Sequence, residues 1–316
     1  MKKNNILVTG ALGHIGSRLI REYSKREDVG KIILLDNLST QRYCSLFNLS
    51  KKAFYSFVEG DVRDLKVVKK AIKGNNIVLH LAAITDAPST LKREEETMDV
   101  NLGGTVNVLE ASLSEGVERF IFPSTTSVYG EAKGRVYENT LDSKLHPSSP
   151  YAKSKLLAEK EICKTNGKGG LETIILRNGT IFGVSEGMRF HTAINKFVYQ
   201  ASTGQHLTIW NTALKSKRPY LGLGDAIRAM QFFEKKGLPG ETYNVLTDNF
   251  SMKEIIDSIK KIKPEVEIEI TESPLLNQKP YEVSKEKLES LGFVPNDNLD
   301  YHLRESFRLF ESIRNL

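Results

Sequence analysis

An apolar run that leads into three evenly spaced glycines near the start of the chain is the feature that most constrains its fold. Residues 6–8 are Ile-Leu-Val, and Gly10, Gly13 and Gly16 follow at intervals of three. Apolar residues then recur at helical spacing over residues 17–25, so the segment predicts a strand, a tight turn and a helix. Glycines in such a turn let the backbone approach a phosphate group at the positive end of the helix. Because the spacing differs from Gly-x-Gly-x-x-Gly, it predicts a variant of the dinucleotide-binding turn.

A carboxylate at the end of the next apolar run supports this interpretation. Residues 31–35 are Lys-Ile-Ile-Leu-Leu, and Asp36 follows them, twenty residues after Gly16. In dinucleotide-binding folds an acidic residue at this distance accepts hydrogen bonds from the adenosine ribose, and its charge repels a 2′-phosphate. The sequence therefore predicts NAD in preference to NADP. The alternative interpretation is a glycine-rich turn followed by an incidental surface aspartate.

The composition is that of an ordinary globular protein, and it argues against several classes of function. The 316 residues carry a formal net charge of +6, and the lysine pairs are scattered without a dense cluster, so we expect no nucleic-acid partner. Neither the two cysteines nor the six histidines show metal-binding spacing, so no metal site is predicted. No apolar run reaches membrane-spanning length and no leader pattern precedes the first strand, which predicts no membrane association and a cytoplasmic location.

Strand and helix patterns alternate along the first half of the chain. Strands are predicted at residues 31–36, 54–60, 76–83, 119–122 and 171–177, with helices at 64–72, 92–115 and from Pro150 onward. This alternation predicts an α/β fold with a Rossmann-type doubly wound parallel sheet. Beyond residue 178 the alternation weakens, and helices are predicted at 188–203, 225–235, 252–262, 285–291 and 299–313. We predict an NAD-binding domain over residues 1–178 and a smaller α/β substrate-binding lobe over 179–316, with interleaved segments.

A tyrosine and a lysine one helical turn apart are the strongest catalytic candidates. Ser149 is the expected N-cap of a helix whose first residue is Pro150, and this helix carries Tyr151 and Lys155 on one face. A phenol is a weak base at neutral pH, and a nearby ammonium group favours its ionised form and lowers its pKa. Such a tyrosine can take a proton from a substrate hydroxyl while the carbon below gives up hydride. The alternative interpretation is an exposed i, i+4 pair.

Together these motifs resemble the extended short-chain dehydrogenase/reductase family, and within it the nucleotide-sugar epimerases and dehydratases. The matching pieces cover nearly the whole chain and include Thr-Gly-Ala-Leu-Gly-His-Ile-Gly at residues 9–16, Gly-Asp-Val at 60–62, His-Leu-Ala-Ala at 80–83 and Tyr-Ala-Lys-Ser-Lys at 151–155. The resemblance implies an NAD-dependent enzyme that forms homodimers. It further implies that Lys155 binds the nicotinamide ribose and that the cofactor is held by Gly10, Gly13, His14, Ile15, Gly16, Asp36, Asn37, Asp61, Val62, Leu81, Ala82, Ala83, Asn101 and Lys155.

The hydroxyl-rich segment at residues 124–127 bears on the type of reaction. Thr125 falls where the family places the Ser or Thr that binds the reacting sugar hydroxyl, and Thr126 is the neighbouring substrate contact. Sugar-nucleotide 4,6-dehydratases usually continue with an Asp-Glu pair, whereas this chain has Thr126 and Ser127. The resemblance therefore implies a nucleotide-sugar C4-epimerase that oxidises its substrate to a 4-keto sugar and returns the hydride. The alternatives are a dehydrogenase or reductase with net redox change, a dehydratase of the same family, and a non-catalytic NAD-binding sensor or scaffold.

The second lobe resembles the family's nucleotide-binding part. Arg218 lies in a segment in which the family uses an Arg to bind the substrate pyrophosphate, and Trp210 lies in the strand beside the base, with ordinary core packing as the alternative. Thr180 stands where many relatives have a substrate-contacting Asn. A second pyrophosphate Arg is absent from the segment around residue 279, unless Lys279 replaces it. These departures leave the nucleotide and the sugar undetermined.

Overall fold

The computed structural model describes residues 3–132, 134–211, 214, 216–272 and 281–313. Its strands are β1 (Asn4–Thr9), β2 (Val29–Asp36), β3 (Phe54–Glu59), β4 (Ile77–His80), β5 (Arg119–Thr125), β6 (Gly134–Val136), β7 (Glu172–Asn178), β8 (Thr180–Phe182), β9 (Leu207–Trp210), β10 (Lys217–Gly222), β11 (Thr242–Val245), β12 (Asp248–Ser251), β13 (Ile268–Thr271) and β14 (Tyr281–Val283). Its α-helices are α1 (His14–Tyr23), α2 (Leu65–Ile72), α3 (Ala87–Thr90), α4 (Glu94–Met98), α5 (Gly104–Ser114), α6 (Pro150–Thr165), α7 (Ala193–Ser202), α8 (Leu223–Phe233), α9 (Met252–Lys260), α10 (Glu286–Ser290) and α11 (Leu299–Arg308).

Seven parallel strands form the central sheet in the order β11-β7-β5-β4-β1-β2-β3. The chain runs from β1 outward to β3 and then crosses back to β4 on the other side of β1. The carboxyl ends of β1 and β4 therefore flank the point where the strand order reverses, which is where open α/β sheets bind their ligands. This topology confirms the Rossmann-type doubly wound sheet predicted from the alternation of strands and helices.

Each face of the sheet is covered by a separate layer of helices. In β1, Ile6 and Val8 belong to one buried cluster, which includes apolar residues of α1 and α8. Leu7 points to the opposite face and belongs to a second cluster, with apolar residues of α2, α5 and α6. Strands buried on both faces are continuous apolar runs, which explains why the first strand lacks an alternating polar pattern.

A smaller lobe is built largely from residues beyond 178. Its core joins apolar residues of α7, α9 and α11 with strands β8, β9 and β10. A single residue, Gly179, separates β7 of the central sheet from β8, which belongs to the three-stranded sheet β12-β10-β8 of this lobe. The chain later returns to the central sheet as β11. The division at residue 178 stays a prediction, and the structure shows that segments on the two sides of it interleave.

Three helix predictions differ from the structure. The helix expected over residues 299–313 ends at Arg308. The helix expected over residues 92–115 is interrupted, because a π-helical segment, Asp99–Gly103, separates α4 from α5. The helix expected over residues 188–203 begins only at Ala193. No described helix is both long enough and apolar enough to cross a membrane.

Candidate active site

The glycine-rich turn connects β1 to α1 with close backbone contacts. Gly10 has φ of +64°, and a Cβ atom there would lie 2.7 Å from the backbone nitrogen of Ala82. A Cβ atom at Gly16 would lie 2.5 Å from the carbonyl oxygen of Gly10. Both positions therefore require glycine, and the turn leaves the N-terminus of α1 open toward a cleft.

This cofactor cleft has a cavity volume of about 470 Å³ and lies at the carboxyl ends of β1, β2 and β4. Most of the residues predicted to hold NAD line it, namely Gly10, Gly13, His14, Ile15, Gly16, Asp36, Asn37, Val62, Leu81, Ala82 and Ala83. Asp61 is not among the lining residues. Its carboxylate binds the side chains of Asn37 and Arg63, and Arg63 lowers the pKa of Asp61 to about 2.

Asp36 has a second role that the spacing argument did not reveal. One carboxylate oxygen accepts the Leu12 N–H at 3.0 Å and the other accepts the Leu38 N–H at 2.9 Å. The residue therefore holds the glycine-rich turn and the loop after β2 together. Carboxylate oxygens have further lone pairs, so these bonds leave acceptor capacity for ribose hydroxyls.

His14 anchors a distant segment to the turn. Its Nε2 donates to the carbonyl of Gly183 at 2.7 Å, and burial lowers its pKa to about 3, so the ring is neutral at pH 7. The Ser185 hydroxyl donates to the His14 carbonyl at 2.8 Å, and the Gly187 N–H donates to the Ser17 hydroxyl at 2.9 Å. Residues 183–187 are thereby fixed against the start of α1.

Asn101 supports the cleft from behind and does not line it. Its side chain accepts the Ile84 N–H at 2.8 Å and donates to the Ile84 carbonyl at 3.0 Å and to the Ser154 hydroxyl at 2.9 Å. It joins the loop after β4 to helix α6. Asn101 lies in the π-helical segment, and such segments occur frequently at functional sites.

A second cavity, the substrate cleft, has a volume of about 420 Å³ and contains the predicted catalytic group. Thr125, Tyr151 and Lys155 all line it. The Ser149 hydroxyl caps α6 by accepting the Ala152 N–H at 3.2 Å, as the sequence predicts. Thr125 is the last residue of β5, so the end of a strand and the start of a helix bring the three residues together.

Burial dominates the ionisation of this group. It lowers the pKa of Lys155 to about 7, against the opposing effect of the Glu159 carboxylate. The Lys155 ammonium group donates to the Pro123 carbonyl at 2.9 Å and lies 4.2 Å from the centre of the Phe122 ring. Desolvation raises the pKa of Tyr151, and the cation that opposes this rise is Arg189, not Lys155 as expected from the sequence. Lys155 therefore stays a predicted ribose contact.

A buried ion pair lies directly behind Lys155. Glu159, one turn further along α6, pairs with Arg177 at 2.7 Å, and both side chains are almost fully buried. The Ser124 hydroxyl also donates to Glu159, and the Arg177 guanidinium carbon lies 5.0 Å from the centre of the Tyr129 ring. These contacts fix the end of β5, which carries Thr125, against α6, which carries Tyr151.

The residues predicted to contact substrate line the same cavity as the catalytic group: Thr126, Thr180, Trp210 and Arg218. Tyr281, which sequence reasoning missed, also lines it, donates to the Thr126 carbonyl at 3.0 Å and stacks on the Arg218 guanidinium at 4.9 Å. Lys279 lies outside the described residues.

The chemical character of the substrate cleft is hydroxyl-rich. Thr125, Thr126 and Ser127 are adjacent at the end of β5, and Asp86 is the single carboxylate among the described residues that line the cavity. Asp86 and Arg189 were both missed from the sequence, since neither lies in a recognisable motif. Within the described ranges, no group of three or more His, Cys, Asp or Glu residues is placed to hold a metal ion.

The cofactor cleft fits NAD on three observations. The backbone of the glycine-rich turn approaches its neighbours so closely that side chains at Gly10 and Gly16 are excluded, which leaves the helix N-terminus accessible to a pyrophosphate. Asp36 retains acceptor capacity for ribose hydroxyls and carries a charge that disfavours a 2′-phosphate. The cleft also adjoins the cavity that contains Tyr151, and several residues line both.

Comparison with known proteins agrees with this geometry. A sequence model of the NAD dependent epimerase/dehydratase family matches residues 6–245. The chain belongs to this family. NAD is therefore its cofactor, and the solved structures that it resembles include NAD complexes.

The similar proteins include both dehydratases and epimerases. The chain is 33% identical over 307 residues to dTDP-D-glucose 4,6-dehydratase of Mus musculus, covering 92% of this chain and 84% of the mouse protein. Among solved structures it resembles UDP-glucose 4-epimerase of Thermotoga maritima, with a TM-score of 0.86, 25% identity and coverage of 97% and 98% of the two chains. It also resembles UDP-glucuronic acid 4-epimerase of Bacillus cereus in complex with UDP-glucuronic acid and NAD, with a TM-score of 0.84, 25% identity and coverage of 97% and 99%.

Proposed function

We propose that this protein is an NAD-dependent nucleotide-sugar C4-epimerase. The observation that carries the proposal is the composition of the substrate cleft. It contains the Thr125, Tyr151 and Lys155 group for oxidation at one carbon, and by family resemblance Thr126 and Ser127 stand where the dehydratases have an acid and a base. Elimination of water across two further carbons needs those proton-transfer groups, whereas epimerisation at C4 does not.

Each residue of the group has a distinct task in this reaction. NAD, when bound, supplies a reversible hydride acceptor for the sugar carbon. Tyr151 takes the proton of the C4 hydroxyl as the C4–H bond breaks and the carbonyl forms, and Thr125 holds the reacting oxygen through its hydroxyl group. Once the 4-keto sugar has turned over in the cleft, Tyr151 gives the proton back to the reacting oxygen as a C4–H bond re-forms on the other face. Lys155 binds the nicotinamide ribose and fixes the cofactor beside Tyr151.

A nucleotide sugar is the proposed substrate. Arg218 provides a planar cation for the pyrophosphate, and its stacking on Tyr281 orients it within the cleft. Trp210 lines the cavity and offers a ring face to the nucleoside base. The similarity to structures that contain UDP-glucose and UDP-glucuronic acid supports a UDP-sugar as the first choice to test. A homodimer is part of the proposal by family resemblance alone, and a cytoplasmic location stays an expectation from the sequence.

Dehydration is the second candidate, because 4,6-dehydratases are among the curated relatives that cover most of the chain. Solvent isotope incorporation separates the two reactions. Purified protein is incubated in D₂O with UDP-, GDP- and TDP-sugars, and the products are followed by NMR. A C4-epimerase inverts C4 and incorporates no deuterium into carbon-bound positions. A 6-deoxy-4-keto product with deuterium at C5 or C6 would instead establish the dehydratase, and Tyr151→Phe is the control that should abolish either reaction.

A further inference from the structure

The cofactor and substrate clefts meet at a small set of shared residues. Both cavities are lined by Ile15, Leu81, Ala83, Thr85, Asp86, Arg189 and His191. In a dehydrogenase-type site the reacting carbon of the sugar and the nicotinamide ring must come together at such a junction. Arg189 is the guanidinium at that junction, and neither the family motifs quoted above nor the predicted catalytic group assigns it a role.

The position of Arg189 is fixed by the segment that carries it. Residues 183–187 are hydrogen-bonded to the start of α1 through His14, Ser17 and Ser185. A Cβ atom at Gly187 would lie 2.3 Å from the Leu12 carbonyl oxygen, so this segment rests directly on the glycine-rich turn. The Arg189 carbonyl accepts the Asn195 side chain at 2.9 Å, which ties its C-terminal side to α7. Arg189 is therefore held from both directions.

The guanidinium is anchored without a counter-ion. Its Nη1 donates to the Thr85 hydroxyl at 2.6 Å, while its Nε is buried without a hydrogen-bond partner. No described carboxylate lies within 4.0 Å of it, and desolvation lowers the pKa of Arg189. A partly buried cation that lacks an anionic partner is unfavourable by itself, and an anion that appears nearby stabilises it. The neighbouring group that can become an anion during the reaction is Tyr151, which lines the same cavity as Arg189. Arg189 lowers the pKa of Tyr151 against the larger effect of burial.

We propose that Arg189 is an electrostatic positioning residue for Tyr151, a second cation that stabilises the phenolate from the side of the substrate lobe. It acts through Tyr151 and forms no bond with the reacting carbon. The inference rests on the proposed function only in taking Tyr151 as the group that exchanges a proton with the substrate. The 183–191 segment then brings Arg189, a cation from the second half of the chain, close to Tyr151 on α6.

Several other groups face Tyr151 or Arg189 and have to be considered in any pH dependence. Thr125 on β5 lines the same cavity as Tyr151, and Lys155 lies on the same helix but donates to the Pro123 carbonyl. Asp86, before α3, raises the pKa of Arg189, whereas Arg42, after β2, lowers it. His14 is neutral at pH 7 because burial lowers its pKa to about 3, and His191 is exposed at the rim of both clefts.

The test measures the titration of Tyr151 directly, without relying on turnover. Tyrosinate absorbance is recorded against pH for the holoenzyme and for its Tyr151→Phe counterpart, and the difference reports Tyr151. Arg189→Gln is expected to raise the Tyr151 pKa by about one unit, and to lower kcat about tenfold on the acidic side of the profile. The Tyr151 pKa and the kcat of Arg189→Lys should stay close to the wild-type values, because lysine keeps the positive charge. Arg18→Gln, which changes an exposed arginine on α1, should have no effect.

A second variant guards against misfolding of Arg189→Gln. Thr85→Val keeps the cation but removes its anchor, and it is expected to raise the Tyr151 pKa by a smaller amount. An unchanged Tyr151 titration in both variants would overturn the inference, and so would a raised KM with an unchanged pH profile of kcat, which would make Arg189 a substrate contact only. If the titration shifts but no nucleotide sugar is epimerised, the inference stands and the proposed function fails.

Discussion

Replacing Lys155 by methionine should make the protein more stable at neutral pH while it removes activity. Lys155 is 3% exposed, and its ammonium group has one hydrogen bond, to the Pro123 carbonyl. Methionine has a similar length and no charge. Since burial lowers the pKa of Lys155 to about 7 from its ordinary 10.5, the folded protein holds the lysine proton less tightly than the unfolded chain does.

The size of the effect follows from proton linkage. A group whose pKa is 10.5 unfolded and about 7 folded destabilises the folded state by about 4 kcal/mol at pH 7 and by about 1 kcal/mol at about pH 9.5. The unfolded state binds more protons in this window, so stability rises with pH. Loss of the hydrogen bond to Pro123 offsets about 1 kcal/mol of the gain. Lys155→Met is therefore expected to be about 3 kcal/mol more stable than wild type at pH 7 and nearly equal to it at about pH 9.5.

Urea unfolding of both proteins, without added nucleotide, at a series of pH values measures this difference. Comparing the two proteins at each pH cancels the contributions of other titrating groups to the free energy of unfolding. One such group is Tyr151, whose raised pKa makes the folded protein less stable as pH rises at higher pH. A Lys155→Met protein that is less stable than wild type at pH 7, or a difference that does not change with pH, would refute the reasoning. Epimerase turnover should be lost in this variant under all conditions.

Two further predictions concern the cofactor cleft. Asp36→Asn should weaken NAD binding about tenfold, because a charge-assisted acceptor for ribose is lost, and should narrow the preference for NAD over NADP. Calorimetric Kd values for both nucleotides test this, and an unchanged ratio would contradict it. Gly187→Ala places a Cβ atom 2.3 Å from the Leu12 carbonyl, so it should lower the free energy of unfolding by about 2 kcal/mol and weaken NAD binding. Urea unfolding and calorimetry test it, and wild-type values in both would show that the segment does not rest on the turn.

Local sequence signals predicted the elements that position the catalytic group. The run ending in Thr125 forms β5, and Ser149 with Pro150 starts α6 where the capping pattern places it. These elements follow from side chains within a few residues of each other, so the sequence is sufficient to predict them. The parallel sheet follows from the alternation of such elements, and the structure confirms it.

Features that depend on contacts between distant residues could not be predicted in this way. A π-helical segment interrupts the predicted helix at residues 99–103, where Asn101 bonds to Ile84 and Ser154 from other parts of the chain. Helix α7 begins at Ala193, later than its pattern suggests, and the segment before it bonds through Gly187 to Ser17 of α1. Both features require the sheet to be assembled first, and local periodicity carries no information about them.

Arg189 illustrates the same limit within the site. It lies 38 positions after Tyr151 in a segment with no catalytic pattern, and only the folded chain places it at the junction of the two clefts. The hydroxyl-rich cluster at residues 125–127 was accessible from the sequence because it is continuous. The predicted site residues converge on two adjoining clefts, except that Asp61 and Asn101 are not among the lining residues, and their individual roles stay predictions.

The most direct test of the central claim is the fate of the hydrogen at C4. A nucleotide sugar that carries deuterium at C4 is incubated with purified protein and no added cofactor, and NMR follows both configuration and label. Oxidation and re-reduction by the same bound NAD predicts an inverted C4 that still carries the deuterium. Inversion with loss of the label, or turnover only when NAD or NADH is supplied in stoichiometric amounts, would contradict the account.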